Sequence, residues 1–197
     1  MLAGPSGAGK SRLAERSGLP VLRLDDFYRE GDAPDLPRVA DGTDAGLVDW
    51  DHPGSWDRDA ALAAMEELSR RGRAEVPVYD LASSSRTGTR AVDLGGSTLF
   101  VAEGIFAVEV VEECRERGLL AAALCVTQHP LRTFVRRLQR DLRERRKPPL
   151  VLLRRGLALL RAQPRVVAHA VGAGCETVSG EQGRARIRGL LGAATHP

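Results

Sequence analysis

Short continuous apolar runs alternate along the chain with stretches in which apolar residues recur every three or four positions. The runs at residues 21–24, 98–102 and 119–127 are typical of strands that are buried on both faces of a parallel sheet. A final strand is predicted at residues 176–179. Since strands alternate with helical segments throughout, the pattern predicts an α/β fold, a parallel sheet with helices on both faces.

Six segments have the features of helices. The clearest covers residues 56–71, where apolar residues recur at helical spacing and either Ser55 or Asp57 can cap the first turn. The other predicted helices cover residues 10–16, 106–117, 131–147, 150–162 and 181–191. The strongly basic helix at 131–147 is predicted to stop at Pro148, because proline disrupts a helix interior.

Two parts of the chain interrupt this alternation. Residues 25–55 are rich in Asp, Gly and Pro, which predicts a long functional loop. Extended runs at 75–79 and 89–94 flank residues 83–88 and predict a small hairpin. We therefore expect a single domain over residues 1–197, with a core at about 1–30 and 96–197. The insertions, at about 31–95 and 131–147, are expected to bind the substrate and to form a lid.

The first strand is truncated, because only Met1, Leu2 and Ala3 precede a glycine-rich loop. One interpretation is that this strand is very short. The other is that the start of the chain has been placed too late, which would leave the central sheet poorly stabilised.

Composition indicates an ordinary soluble protein, with 43% hydrophobic and 28% charged residues and a net charge of +3. The three cysteines are widely spaced, which predicts reduced thiols in a cytoplasmic protein and neither a disulfide frame nor a zinc site. The N-terminus lacks a signal pattern and the apolar runs are too short to span a bilayer, so no membrane association is expected.

The residues of the glycine-rich loop, hereafter the phosphate loop, fit the pattern G-x-x-x-x-G-K-[ST] at every position. They are Gly4, Pro5, Ser6, Gly7, Ala8, Gly9, Lys10 and Ser11. Glycines let backbone N–H groups surround a phosphate, the lysine reaches the β- and γ-phosphates, and the serine hydroxyl binds Mg²⁺. With the strand and helix pattern, this motif predicts a three-layer P-loop NTPase fold and the cofactors ATP and Mg²⁺. No segment identifies the base of the donor, so GTP stays open.

A second acidic position supports this site. The apolar run at 98–102 ends at Glu103, where a strand-end carboxylate can orient the shell of Mg²⁺, as in a Walker B arrangement. Ser11 and Glu103 are therefore the predicted metal residues. The alternative is that Glu103 is a surface acid at the end of a strand.

Further motifs follow in order along the chain. They are Asp25-Asp26-Phe27-Tyr28, Asp49-Trp50-Asp51-His52-Pro53, Val76-Pro77-Val78-Tyr79-Asp80, Glu103-Gly104-Ile105 and the arginine-rich residues 134–145. Together with the phosphate loop they resemble the uridine kinase family of P-loop kinases, in register from Gly4 to about Lys147. The resemblance implies transfer of the γ-phosphate of ATP to the 5′-hydroxyl of a nucleoside, with uridine or cytidine as the first candidates.

The resemblance also implies roles for single residues. Asp25 matches the general base, and the alternative from the sequence alone is that it caps a loop or helix. Asp51 and Arg137 match residues that bind the ribose, whereas Arg140 and Arg145 match lid arginines that act in catalysis with Lys10. Trp50, Tyr79 and Ser84 occupy positions that contact the base. Family members are often oligomeric, so a homo-oligomer is possible.

Three positions on the base side depart from the family pattern. Leu81 replaces a common aromatic residue, Ser84 replaces a histidine that contacts the pyrimidine, and Lys147 replaces a common arginine. The departures leave open a kinase of another small alcohol, such as pantothenate or a sugar phosphate.

A third hypothesis comes from the arginine-rich helix: a non-catalytic NTP-binding regulator, or a protein that binds nucleic acid. Basic and aromatic residues do not interleave in that helix, as a base-stacking surface requires. We therefore expect a small-molecule substrate and no nucleic-acid partner.

Overall fold

The computed structural model describes residues 1–41, 45–129, 134 and 149–194. Its main sheet consists of five parallel strands in the order β2–β5–β1–β6–β7. The strands are β1 (Leu2–Ala3), β2 (Val21–Arg23), β5 (Val101–Glu103), β6 (Leu124–Val126) and β7 (Glu176–Val178). The predicted parallel α/β sheet is confirmed.

The short first strand lies at the centre of this sheet. Leu2 pairs with Glu103 on one side and with Leu124 on the other. Both residues of β1 are only 1% exposed, so the strand is fully covered despite its length. Because β1 is central, the chain that follows it leaves the sheet between the carboxyl ends of β5 and β6.

Two hydrophobic cores cover the two faces of the sheet. Ala3, Ala102 and Cys125 belong to one core, whereas Leu2 and Val101 belong to the other. Successive strand residues point to opposite faces, so this partition requires helices on both sides. The predicted three-layer arrangement is therefore confirmed.

Two predicted strands are shorter than expected. The run at 98–102 pairs only as Val101–Glu103, and the run at 119–127 pairs only as Leu124–Val126. The neighbouring strands set these limits, because β1 and β2 beside β5, and β1 and β7 beside β6, are themselves short. Before Val101 the chain is occupied by a local turn, in which the Ser97 Oγ donates to the Leu99 carbonyl at 2.7 Å. Apolar content alone does not report where a pairing partner ends.

Five α-helices have bounds within the described residues. They are α1 (Lys10–Glu15), α2 (Arg58–Arg71), α3 (Val111–Glu116), α4 (Pro149–Gly172) and α5 (Gly180–Ala194). The predicted helix 106–117 begins instead as a 3₁₀ turn, Ala107–Val110. Of the predicted basic helix 131–147 the structure describes only Phe134, which is helical; the other residues of that segment lie outside the described residues.

Asp57 provides the cap of α2, because its side chain accepts from the Ala60 N–H at 3.1 Å. The predicted start at Trp56 was two residues early. Trp56 is 4% exposed and its indole N–H donates to the Leu24 carbonyl at 2.7 Å, which holds it in the core.

Helix α4 runs ten residues beyond its predicted end and contains Pro164. An interior proline removes one helical hydrogen bond and usually disrupts the helix. The continuation brings Ala170, 1% exposed, into one of the two cores. Packing of the later turns outweighs the local cost of the proline, which propensity alone does not reveal.

The predicted hairpin is confirmed and is longer than expected. Strands β3 (Arg73–Asp80) and β4 (Ser85–Asp93) form a separate antiparallel sheet. Pairing extends to the exposed polar residue Arg86, which the hydrophobic pattern does not mark. Ala74, Val76 and Val92 of the hairpin belong to the same core as Leu24 and Phe27, beside the β2 edge of the main sheet.

No helix in the described parts of the chain is both long enough and apolar enough to cross a membrane. Cys114, Cys125 and Cys175 are buried and free.

Candidate active site

The loop between β1 and α1 has a backbone that requires glycine. Gly4, Gly7 and Gly9 have φ angles of 128°, 84° and 97°, in the left-handed region that side chains rarely adopt. A Cβ on Gly4 would lie 2.4 Å from the Val126 carbonyl oxygen. The loop therefore passes directly over the end of β6, and its path depends on these residues.

Lys10 lies against this loop. Its side chain is buried, and its Nζ donates to the carbonyls of Gly4 at 2.8 Å and Pro5 at 3.2 Å. A lysine charge is costly to bury without such partners. The Lys10 ammonium is thus held at the loop, where it would contact a bound phosphate.

Ser11 and Glu103 lie next to each other at the carboxyl end of the central strands. Glu103 ends β5 and is 6% exposed, and the Ser11 side chain lies close enough to oppose the rise in the pKa of its carboxyl. Burial raises the pKa of the Glu103 carboxyl and the charge of Asp25 raises it further, whereas Lys10 and Ser11 oppose the increase. A hydroxyl and a carboxylate are hard oxygen ligands, so this pair fits Mg²⁺.

Asp25 lies in a 3₁₀ turn, Leu24–Phe27, that directly follows β2. Its Oδ1 accepts from the Ile105 backbone N–H at 3.1 Å. A Cβ on Gly104 would lie 2.7 Å from the same oxygen, so glycine is what admits the carboxylate there. Asp25 is exposed to solvent and close enough to Glu103 for their charges to interact. The two acids therefore meet beside the phosphate loop.

An aromatic cluster lies next to this turn. The Tyr28 ring is 5.5 Å from the rings of Trp50 and Tyr79, and 5.7 Å from Phe106. The Tyr28 hydroxyl donates to the Trp50 carbonyl at 3.0 Å. Trp50 and Tyr79, which the sequence assigned to one substrate site, are thus brought together with the turn that bears Asp25.

The Tyr79 hydroxyl has a hydrogen-bond partner within the protein. It donates to the Arg29 carbonyl at 3.1 Å, and the Ser84 side chain lies close to it. Desolvation, aided by the charge of Glu30, raises the pKa of Tyr79 to about 12. The Tyr79 hydroxyl is therefore neutral at physiological pH and acts as a hydrogen-bonding group beside the aromatic cluster.

Ser84 occupies the tip of the hairpin with a φ of 53°. Its carbonyl accepts from the Gly31 N–H at 2.8 Å, which ties the tip to the loop after β2. Ser84 is half-buried, while neighbouring Leu81 is 55% exposed. The predicted base contact at Ser84 lies beside Tyr79.

Asp51 lies in an exposed turn directly after Trp50. Its backbone N–H donates to the Asp49 Oδ1 at 3.1 Å, so the turn has a defined local geometry. Arg137, Arg140 and Arg145 lie outside the described residues, and their roles stay predictions.

Sequence reasoning missed two contributors. Tyr28 connects the aromatic cluster, although only its neighbour Asp25 was assigned a role. The Gln128 Nε2 donates to the Ala8 carbonyl at 2.8 Å, and Gln163 of α4 donates to the Gln128 carbonyl at 3.1 Å. Gln128 follows β6, and polar residues that follow parallel strands cluster at the site edge of such a sheet. That rule could have found it.

Similar proteins fall into two kinds. A stretch of 153 residues, 75% of this chain, is 32% identical to the inorganic pyrophosphatase TTM2 of Arabidopsis thaliana. This match spans only 20% of TTM2, so the chain corresponds to about a fifth of that relative. A uridine kinase of Deinococcus deserti is 30% identical over 167 residues, which cover 81% of this chain and 76% of the relative.

Among solved structures, a putative fructose transport system kinase from Silicibacter sp. TM1040 has a TM-score of 0.61 and 18% identity. The match covers 85% of this chain and 82% of that one, which shows a shared fold. No protein-family model matches the chain.

Proposed function

Because the chain belongs to the uridine kinase family of P-loop kinases, we propose that it transfers the γ-phosphate of ATP to a small alcohol. The first candidate is the 5′-hydroxyl of uridine or cytidine. The observation that carries this proposal is the position of Asp25, whose carboxylate is fixed by the Ile105 N–H beside Glu103 and the phosphate loop.

Residues 4–11 bind the triphosphate of the donor. The backbone N–H groups of the loop and the Lys10 ammonium neutralise its negative charge. Ser11 and Glu103 hold Mg²⁺, which supplies neutralisation of the charge on the transferring phosphoryl group. The raised pKa of Glu103 supports this assignment, since a cation would relieve the cost of burying that carboxylate.

Asp25 accepts the proton of the acceptor hydroxyl as the hydroxyl oxygen attacks the γ-phosphorus in line, and ADP leaves as the bond between the γ-phosphorus and the bridging oxygen breaks. One carboxylate oxygen is engaged by the Ile105 N–H, which fixes the direction of the side chain. The exposure of Asp25 leaves an approach for the acceptor from solvent.

The insertion at 31–95 forms the wall of the acceptor site. Trp50 and Tyr79 supply ring faces, and Asp51 and Ser84 supply polar groups near them. Arg137, Arg140 and Arg145 complete the site by binding the sugar and the phosphates. Family membership favours a nucleoside acceptor.

A second candidate acceptor, another small alcohol such as pantothenate or a sugar phosphate, is favoured by one observation. The Ser84 side chain lies close to Tyr79, at a position where the family pattern has a histidine for the base. The protein is proposed to act in the cytoplasm on this small molecule, and a homo-oligomer stays a prediction.

The test is release of ADP from ATP and Mg²⁺ in the presence of a panel of nucleosides, pantothenate and sugar phosphates. We expect stimulation by uridine or cytidine, with the phosphorylated product identified by mass. Lys10→Ala serves as the inactive control, since it removes the cation at the loop. If no compound of the panel stimulates ADP release, and pyrophosphate is hydrolysed instead, the kinase proposal is wrong.

A further inference from the structure

Arg90 joins the hairpin to the 3₁₀ turn that bears Asp25, the candidate general base. Its Nη2 donates to the Asp26 Oδ2 at 3.1 Å, although the two residues are 64 positions apart. The Asp26 side chain is 16% exposed and that of Arg90 is 36% exposed. A partly buried pair of this kind is screened less by salt than a pair of solvated side chains.

A second ion pair of the same hairpin provides a contrast. Arg73 and Glu75 lie 3.4 Å apart with 62% and 58% of their side chains exposed, and both belong to β3. That pair connects a strand to itself. The pair of Arg90 and Asp26 connects the hairpin to the main sheet, through the element that follows β2.

The ion pair with Arg90 restrains Asp26, and Asp26 in turn restrains its neighbour Asp25. The two acids are neighbours in a 3₁₀ turn whose ends, Leu24 and Phe27, are 0% and 1% exposed. Burial fixes the two ends of the turn, while Arg90 holds its outer side. The Arg90 charge also offsets the Asp26 charge, which would otherwise repel an anionic phosphate at this edge.

We propose that Arg90 is a positioning residue, which orients Asp25 toward the acceptor hydroxyl by holding Asp26. The inference rests on the proposed kinase function. Strand β4 also pairs with β3, which carries Tyr79. The contact between Arg90 and Asp26 therefore keeps Tyr79, in the wall of the acceptor site, at a fixed position relative to the candidate general base, Asp25.

The test compares Arg90→Met with Arg73→Met in steady-state kinetics of ADP release. For Arg90→Met we expect kcat to fall about 10- to 100-fold, because small displacements of reacting groups cost rates of that order. The KM for ATP should change less than about twofold, since the phosphate loop is untouched. Arg73→Met should retain wild-type kcat, and Arg90→Lys should recover part of the lost rate.

Exchange of the two charges provides a rescue. The double variant Arg90→Asp with Asp26→Arg should have a higher kcat than either single variant, with thermal midpoints that stay close to wild type. An Arg90→Met enzyme with kcat within twofold of wild type, or with a raised KM for ATP as the sole effect, overturns the positioning role. A wild-type protein that phosphorylates no acceptor overturns the proposed function instead.

Discussion

At Glu103 the cost of burying a carboxylate opposes stability, whereas the proposed binding of Mg²⁺ requires that carboxylate. The Glu103 carboxyl is buried, and its pKa is raised above the ordinary value of 4.5 by desolvation and by the charge of Asp25. The folded state therefore binds more protons at this site than the unfolded state. The contribution of Glu103 to the free energy of unfolding is thus favourable below pH 4.5 and falls as pH rises through the folded pKa.

Glu103→Gln should therefore stabilise the protein without nucleotide. We expect a higher midpoint of urea unfolding at pH 7 and a smaller loss of stability between pH 5 and pH 7 than in wild type. Turnover should fall strongly, because an amide binds Mg²⁺ more weakly than a carboxylate. Urea titrations at the two pH values measure the first effect; a variant less stable than wild type at pH 7 would contradict the assigned cost of burial.

Asp25→Asn separates proton transfer from placement of the side chain. The amide oxygen can still accept from the Ile105 N–H, so the orientation of residue 25 should be kept. We expect kcat to fall by about 10²–10⁴-fold, the usual contribution of a general base. Kinetics at saturating acceptor measure this change. An unchanged kcat would remove Asp25 from the role.

At the scale of an element, the path of the phosphate loop is constrained by its close approach to the end of β6. Gly4→Ala would place a methyl group 2.4 Å from the Val126 carbonyl, on a backbone with a φ of 128°. We expect at least tenfold weaker ATP binding, because the loop must shift away from β6. Gly88→Ala is the matched control, since a Cβ there meets no atom within 4 Å. Calorimetric titration measures the ATP affinity of both variants. Equal affinities would contradict the steric requirement for glycine at position 4.

The sequence predicted the elements better than their ends. The loop at 4–11, the hairpin and the Asp57 cap follow from local chemistry that the chain displays directly. The ends of β5 and β6 depend on the lengths of neighbouring strands. The passage of α4 through Pro164 depends on packing in the core. These features are set by tertiary contacts, which a local pattern does not contain.

The candidate site forms only when distant parts of the molecule meet. Tyr28 contacts Trp50 and Tyr79, which are 22 and 51 positions further along the chain, and the hairpin must pack on the β2 edge for this to occur. Family resemblance placed Trp50 and Tyr79 in one site in advance. It did not reveal that the Tyr79 hydroxyl donates to the Arg29 carbonyl and lies close to Ser84, because those contacts depend on the folded hairpin tip.

The two tryptophans of the chain report on different parts of the molecule. Trp56 is 4% exposed and stacks on Phe106 at 5.5 Å, whereas Trp50 is half-buried in the aromatic cluster. An acceptor that docks on this wall should change the fluorescence of Trp50 and leave that of Trp56 constant. In a Trp56→Phe variant the emission would come from Trp50 alone. Acceptors could then be ranked by titration of this intrinsic signal, before any chemical step takes place.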